Sequence, residues 1–148
     1  MTAQWTWRAG ALTNAAGHEL ASVRGGVLAT ATGERLALES SLDSSSPRFF
    51  LRAQTPAGED FSVTQAGITV TRLRATCADR EYLLERRNPF RRERRIVVRG
   101  TGAEVASTAP AGDGLRVSVG VGELPELDAI FLSYACLLLD ATPRTLRT

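Results

Sequence analysis

"ELPELDAIFLSYACLLLDA", residues 123–141, is the most apolar stretch of this chain. From Ala129 to Leu139 only Ser133 interrupts the run, and Asp128 and Asp140 close its two ends. Crossing the hydrocarbon of a bilayer takes about 17–25 residues, so this segment is too short for a transmembrane reading. Its start has helix chemistry: Pro125 suits a first turn, and Glu126 and Asp128 suit the positive end of a helix dipole. Pro143 disfavours helical geometry at Thr142 and marks the stop. The pattern therefore predicts a helix over about 125–141. At about 100° per residue, Leu127, Phe131, Tyr134 and Leu138 fall on one side. Ala129, Leu132, Cys136 and Leu139 cover the opposite side, with Ile130 and Leu137 between them. A surface helix shows one apolar stripe, whereas this one is apolar nearly all round and has to be enclosed. An oligomeric bundle would enclose it; a sheet wrapped around it would do so within one chain.

The upstream residues supply such a sheet. Period-two alternation recurs, with turn residues between the runs. In "GLRVSVGVG" Leu115, Val117, Val119 and Val121 share one face. "GERLALES" sets Leu36 and Leu38 against Arg35, Ala37 and Glu39, and "EDFSVTQ" pairs Phe61 with Val63. "ITVTRLRATC" sends Val70, Arg72 and Arg74 one way and Leu73, Ala75 and Cys77 the other. "WTW" puts Trp5 and Trp7 on the same side of an opening strand. Turn signals such as "NAAG", "RGG", "SSLDSSSP", "TPAG" and "APAGDG" separate the runs. Ten or more short strands followed by one enveloped helix predict a closed antiparallel β-barrel with a helical plug, closure also removing exposed sheet edges. The whole chain, residues 1–148, reads as a single domain. An internal echo, "GHELASV" at 17–23 and "GAEVAST" at 102–108, repeats a turn glycine leading into a strand.

These strand openers, together with "REYLLERRNPFRRERRIVVRGTGAEVAST" and the closing "LPELDAIFLSYACLLLD", resemble the tubby C-terminal-like superfamily. The likeness is to its LURP-one-related and phospholipid-scramblase-like branches, and it covers most of the chain in pattern more than in identities. The resemblance implies about twelve strands around a central hydrophobic C-terminal helix. It makes an anionic phospholipid or a phosphorylated molecule the expected ligand, and no cofactor is expected. It does not carry scramblase activity over, because the helix that would meet lipid is expected to be the buried plug.

The candidate site for such a ligand is the one charge cluster, "ERRNPFRRERR" at 85–95. Arg86, Arg87, Arg91, Arg92, Arg94 and Arg95 flank a turn built on Asn88-Pro89-Phe90, and a hairpin there would present several guanidinium groups on one rim, suited to bidentate phosphate contacts. Glu85 and Glu93 offset part of the charge, and Phe90 at the tip would either enter a bilayer interface or cap the barrel. A solvated hairpin with its arginines paired to glutamates is the plain alternative. All 18 basic residues are Arg and none is Lys, so an Arg cluster is in part a property of this chain's composition.

Net charge is only +2, too low for a global field that drives the protein onto nucleic acid. Trp5, Trp7, Phe49 and Phe50 would be the stacking platforms for a single strand, but none is interleaved with the basic run. Cys77 and Cys136 are too few and too far apart for a disulfide framework or a zinc site, and are expected as buried thiols. His18, the only histidine, stands beside a turn glycine. No G-x-S-x-G elbow, H-E-x-x-H or P-loop occurs. Asp43, Asp60, Asp79 and Asp113 fall in turn contexts, too scattered for calcium. These observations predict no enzyme and no metal. "MTAQWTWRAGALTNAAG" lacks the pattern of a secretion signal, which with the reduced thiols points to the cytoplasm, peripheral at the membrane if lipid is the ligand. Two other readings remain: a protein-interaction scaffold using Trp5, Trp7 or the outer strand faces, and a small ligand-binding barrel or enzyme with a pocket at one mouth.

Overall fold

Alternating side chains make strands, and here they close on themselves. The computed structural model describes residues 1–44, 46–88 and 90–141. The strands are β1 (Thr2–Arg8), β2 (Ala11–Asn14), β3 (Glu19–Arg24), β4 (Val27–Thr30), β5 (Arg35–Ser40) and β6 (Phe50–Gln54). They continue with β7 (Asp60–Gln65), β8 (Arg72–Cys77), β9 (Arg80–Arg86), β10 (Arg94–Val98), β11 (Glu104–Ala111) and β12 (Gly114–Gly120), and α1 (Glu126–Asp140) follows. Each strand pairs antiparallel with its sequence neighbours, and β1 pairs with β12 from Thr2↔Gly120 to Trp7↔Leu115, closing a twelve-strand barrel. Close approach at that seam demands glycine: a Cβ on Gly114 would lie 2.1 Å from the Trp7 carbonyl oxygen.

An up-and-down barrel has two ends. The β1–β2, β3–β4, β5–β6, β7–β8, β9–β10 and β11–β12 connections share one end, here the rim; the others share the base. The rim is uneven. Ala9-Gly10 and Gly25-Gly26 are two-residue hairpins with positive φ at both positions, the geometry that matches strand twist. The β5–β6, β7–β8 and β9–β10 connections are instead long, the first opening with a short 3-10 helix at Ser41–Asp43, and they are consecutive around the ring. The sequence echo is structural: Gly17 and Gly102, both at positive φ, each precede a strand that rises from base to rim.

The plug occupies the lumen. β1 and β7 lie half-way round the ring from each other. The helix meets both: Trp7 packs at a tilt against Tyr134, ring centroids 5.4 Å apart, and Phe61 meets Phe131 edge-on at 5.5 Å. Ala129, Ile130, Phe131, Leu132, Ala135 and Cys136 are buried on successive sides of the helix, each large apolar side chain contributing about 1.5–3 kcal/mol. Ser133, the one polar break, accepts a hydrogen bond from Trp7 Nε1 at 2.8 Å and donates to the Ile130 carbonyl at 3.1 Å.

Three local expectations shift. β12 stops at Gly120, so Val121 is exposed rather than in line with Leu115, Val117 and Val119. Val70 belongs to the turn before β8, not to the strand. Pro125 is the residue before the helix rather than its first turn, with Glu126 and Asp128 in that turn as expected. The stop read from Thr142 and Pro143 lies outside the described residues.

Candidate functional site: an arginine-lined cleft at the rim

Strand β9 points Arg80, Tyr82, Leu84 and Arg86 along one face by its period of two. The six steps from Arg80 to Arg86 span about 20 Å, and the twelve helical steps from Asp128 to Asp140 about 18 Å. Strand and helix run parallel, so each arginine meets a carboxylate. At the base, Arg80 donates from Nε to Asp128 Oδ2 at 2.7 Å and from Nη2 to Oδ1 at 2.9 Å, and Tyr82 donates its hydroxyl to Oδ2 at 2.6 Å. Hydrogen bonding to Asp128 raises the Arg80 pKa. Burial, then the bond to Asp128, raises that of Tyr82, and burial does the same for the nearby Cys77 thiol.

At the rim, Arg94 holds both oxygens of Asp140, with Nη2 at 3.0 Å from Oδ1 and Nε on Oδ2. Arg86 Nη2 donates to the same Oδ1 at 3.2 Å, and Arg92 Nη1 reaches the Asp140 carbonyl at 3.3 Å. A carboxylate at a helix C-terminus opposes the dipole; three guanidinium groups there offset it.

The six arginines of the cluster thus divide. Arg94 is 0% exposed and Arg86 largely covered, and with Arg92 they grip the end of the helix. Arg94 is not on a solvent-facing rim, because in β10 it points into the lumen and Arg95 points out. Arg87 pairs with Glu104 at 2.8 Å, Arg95 with Glu85 at 3.2 Å, and Arg91 loosely with Glu93 at 3.9 Å. In the tip, Asn88 Oδ1 accepts from the backbone N–H groups of Phe90 and Arg91 at 2.9 and 3.0 Å. Pro89, central to the expected turn, lies outside the described residues.

Where the outer wall meets the rim, a cleft of about 560 Å³ opens between the β7–β8 and β9–β10 loops. Arg72, Arg86, Arg87 and Arg95 line it with Glu85, Thr71 and Asn88. Each Glu85 oxygen takes one arginine, Arg72 Nε at 3.1 Å and Arg95 Nη2 at 3.2 Å, which fixes both guanidinium groups facing the opening. Arg86 Nε is buried in the wall with no acceptor among the described residues. The cleft can receive an anion of phosphate geometry through N–H donors already oriented. Arg72 was absent from the sequence reading of this site; its signal was the pairing of β8 with β9, which sets Arg72 opposite Glu85.

The remaining candidates lie apart. Trp5, Trp7 and Phe49 are buried in the core, and Phe50 is half-buried with Arg52 over its ring at 4.3 Å. His18 is exposed in the β2–β3 turn while Cys77 and Cys136 are buried free thiols, so no His–Cys dyad forms. Burial pushes the Cys136 thiol up to about 12. Among the described residues no helix is long and apolar enough to cross a membrane. No family model, curated protein or solved structure matches the chain.

Proposed function

We propose that this barrel is a non-enzymatic binding module of the tubby-like kind that takes a phosphate-bearing ligand in its rim cleft, either an anionic phospholipid headgroup or a phosphorylated molecule. The observation that carries this reading is the lining itself: four guanidinium groups against one carboxylate around a single concavity. The enclosure of an apolar C-terminal helix by twelve strands supports the tubby-like kinship. Arg72 and Arg95 are the principal donors, half-exposed and held by Glu85; Arg87 closes one side, and Arg86 supplies charge from the wall. Arg91 is a neighbouring exposed cation. Arg94 and Arg92 serve the helix end.

Calorimetric titration with inorganic pyrophosphate, at low and high salt, tests this. The native protein is expected to bind with an affinity that falls as salt screens the arginines. Arg72→Ser combined with Arg95→Ser should weaken binding about tenfold or more, each charge-assisted hydrogen bond being worth about 1.5–3 kcal/mol. Folding should survive, since exposed ion pairs contribute little. Equal binding by native and variant proteins, or none by the native protein, would overturn the reading.

A further inference from the structure

The three long rim loops share a second property. Leu42, Ile68 and Phe90, one on each loop, are 58%, 94% and 94% exposed. Large apolar side chains so exposed, on consecutive loops at one end of a molecule, mark a surface that meets something apolar. The loops hold them out. Arg48 Nη2 donates to the carbonyls of Gln65 and Gly67 at 3.2 and 2.8 Å, and Gln65 Nε2 to those of Gly67 and Ile68 at 2.9 and 2.7 Å. Ile68 therefore projects from a braced turn, as Phe90 does from the turn that Asn88 caps.

The charge around them leans to arginine, the rim connections carrying Arg48, Arg87, Arg91 and Arg92 against Asp43, Glu93 and Asp113. The arginine cleft lies between the loops that carry Ile68 and Phe90. At the base the connections carry Glu34, Glu59, Asp79 and Glu123 against Arg99 alone. The connections are thus polarised along the barrel axis, arginine-rich at the rim and acidic at the base, while exposed apolar side chains stand at both ends, Met1 and Val121 at the base and the three loop residues at the rim.

We infer that this arc of the rim docks on an anionic bilayer, with Ile68 and Phe90 entering the interfacial layer and the cleft arginines meeting lipid phosphates. The inference rests on the anion-binding reading of the cleft and names the source of the anion as a membrane lipid. Convex apolar knobs on separate loops suit a fluid interface, which closes around each one, better than a protein partner that must supply a matched pocket for each. The arginines beside them add an attraction of about 1 kcal/mol per residue near an anionic surface. The acidic base turns the other end away.

The test is co-sedimentation with vesicles of phosphatidylcholine alone and of phosphatidylcholine mixed with phosphatidylserine, alongside the pyrophosphate titration. Native protein should sediment with the mixed vesicles and not the neutral ones. Ile68→Ser with Phe90→Ser should lower that binding about tenfold or more while leaving pyrophosphate affinity and the unfolding transition as in the native protein. Phe90→Trp should give a blue-shifted emission on binding, against the constant background of buried Trp5 and Trp7. If the double serine variant sediments like the native protein, insertion is overturned and the cleft reading stands. Pyrophosphate binding without vesicle binding at any composition also overturns insertion and leaves a phosphorylated molecule as the ligand of the cleft. Vesicle binding that depends on Ile68 and Phe90, with no pyrophosphate affinity, would sink the cleft reading alone.

Discussion

Arg94 and Arg95 are adjacent in the chain and opposite in role. Arg94, enclosed, is the bidentate partner of Asp140; Arg95, half-exposed, is one of two arginines held by Glu85. Replacing one partner of a buried pair leaves a stranded charge, so Arg94→Met should cost about 3–5 kcal/mol in chemical denaturation. Arg95→Ser should cost under about 1 kcal/mol and act on pyrophosphate binding instead. Similar losses of stability from both would mean that the two sides of β10 are not distinct. Glu85→Gln gives a complementary change: removing the one carboxylate that lines the cleft should tighten anion binding, read as a lower Kd by calorimetry. The run of arginines between 85 and 95 was plain in the sequence, but its division into inward and outward groups was not. That division depends on where β10 begins, a one-residue shift sending every side chain to the other face.

For the elements, the helix was the most legible part, because an eleven-residue run broken only by Ser133 between two aspartates admits few folded solutions. The alternation of Leu73, Ala75 and Cys77, or of Trp5 and Trp7, was equally readable, and these residues face the core. What periodicity could not give was long-range pairing: that Asp128 and Asp140 match Arg80 and Arg86 across 48 and 54 residues, or that Ser133 exists for Trp7. Ser133 looks like a flaw in an apolar run and is the acceptor of a buried indole N–H. Ser133→Ala keeps the helix and leaves that donor unsatisfied, so it should destabilise the protein by about 1–3 kcal/mol. Urea unfolding followed by tryptophan emission measures this. No change in the midpoint would mean that the indole finds another acceptor.

Across the whole molecule, closure around a plug encloses groups that ionise in alkali, and this sets a pH limit on the fold. Cys136 ionises near 9.0 in the unfolded chain and, through burial, only near about 12 in the barrel. Cys77 and Tyr82 are raised in the same direction by their burial. Between the unfolded and folded values the unfolded chain holds fewer protons than the barrel, so stability must fall as pH rises; below the unfolded values the two states match and the effect vanishes. Each group fully engaged in its window lowers the folding constant about tenfold per pH unit. Urea midpoints should therefore hold steady to about pH 8 and decline steeply from about pH 9 upward, with the m-value unchanged. Cys136→Ala begins from a somewhat lower stability, since it removes buried volume, but should decline with a slope shallower by one proton. A native profile that stays flat above pH 9, or a variant with the native slope, would mean that Cys136 ionises in place and that the barrel admits solvent to the plug.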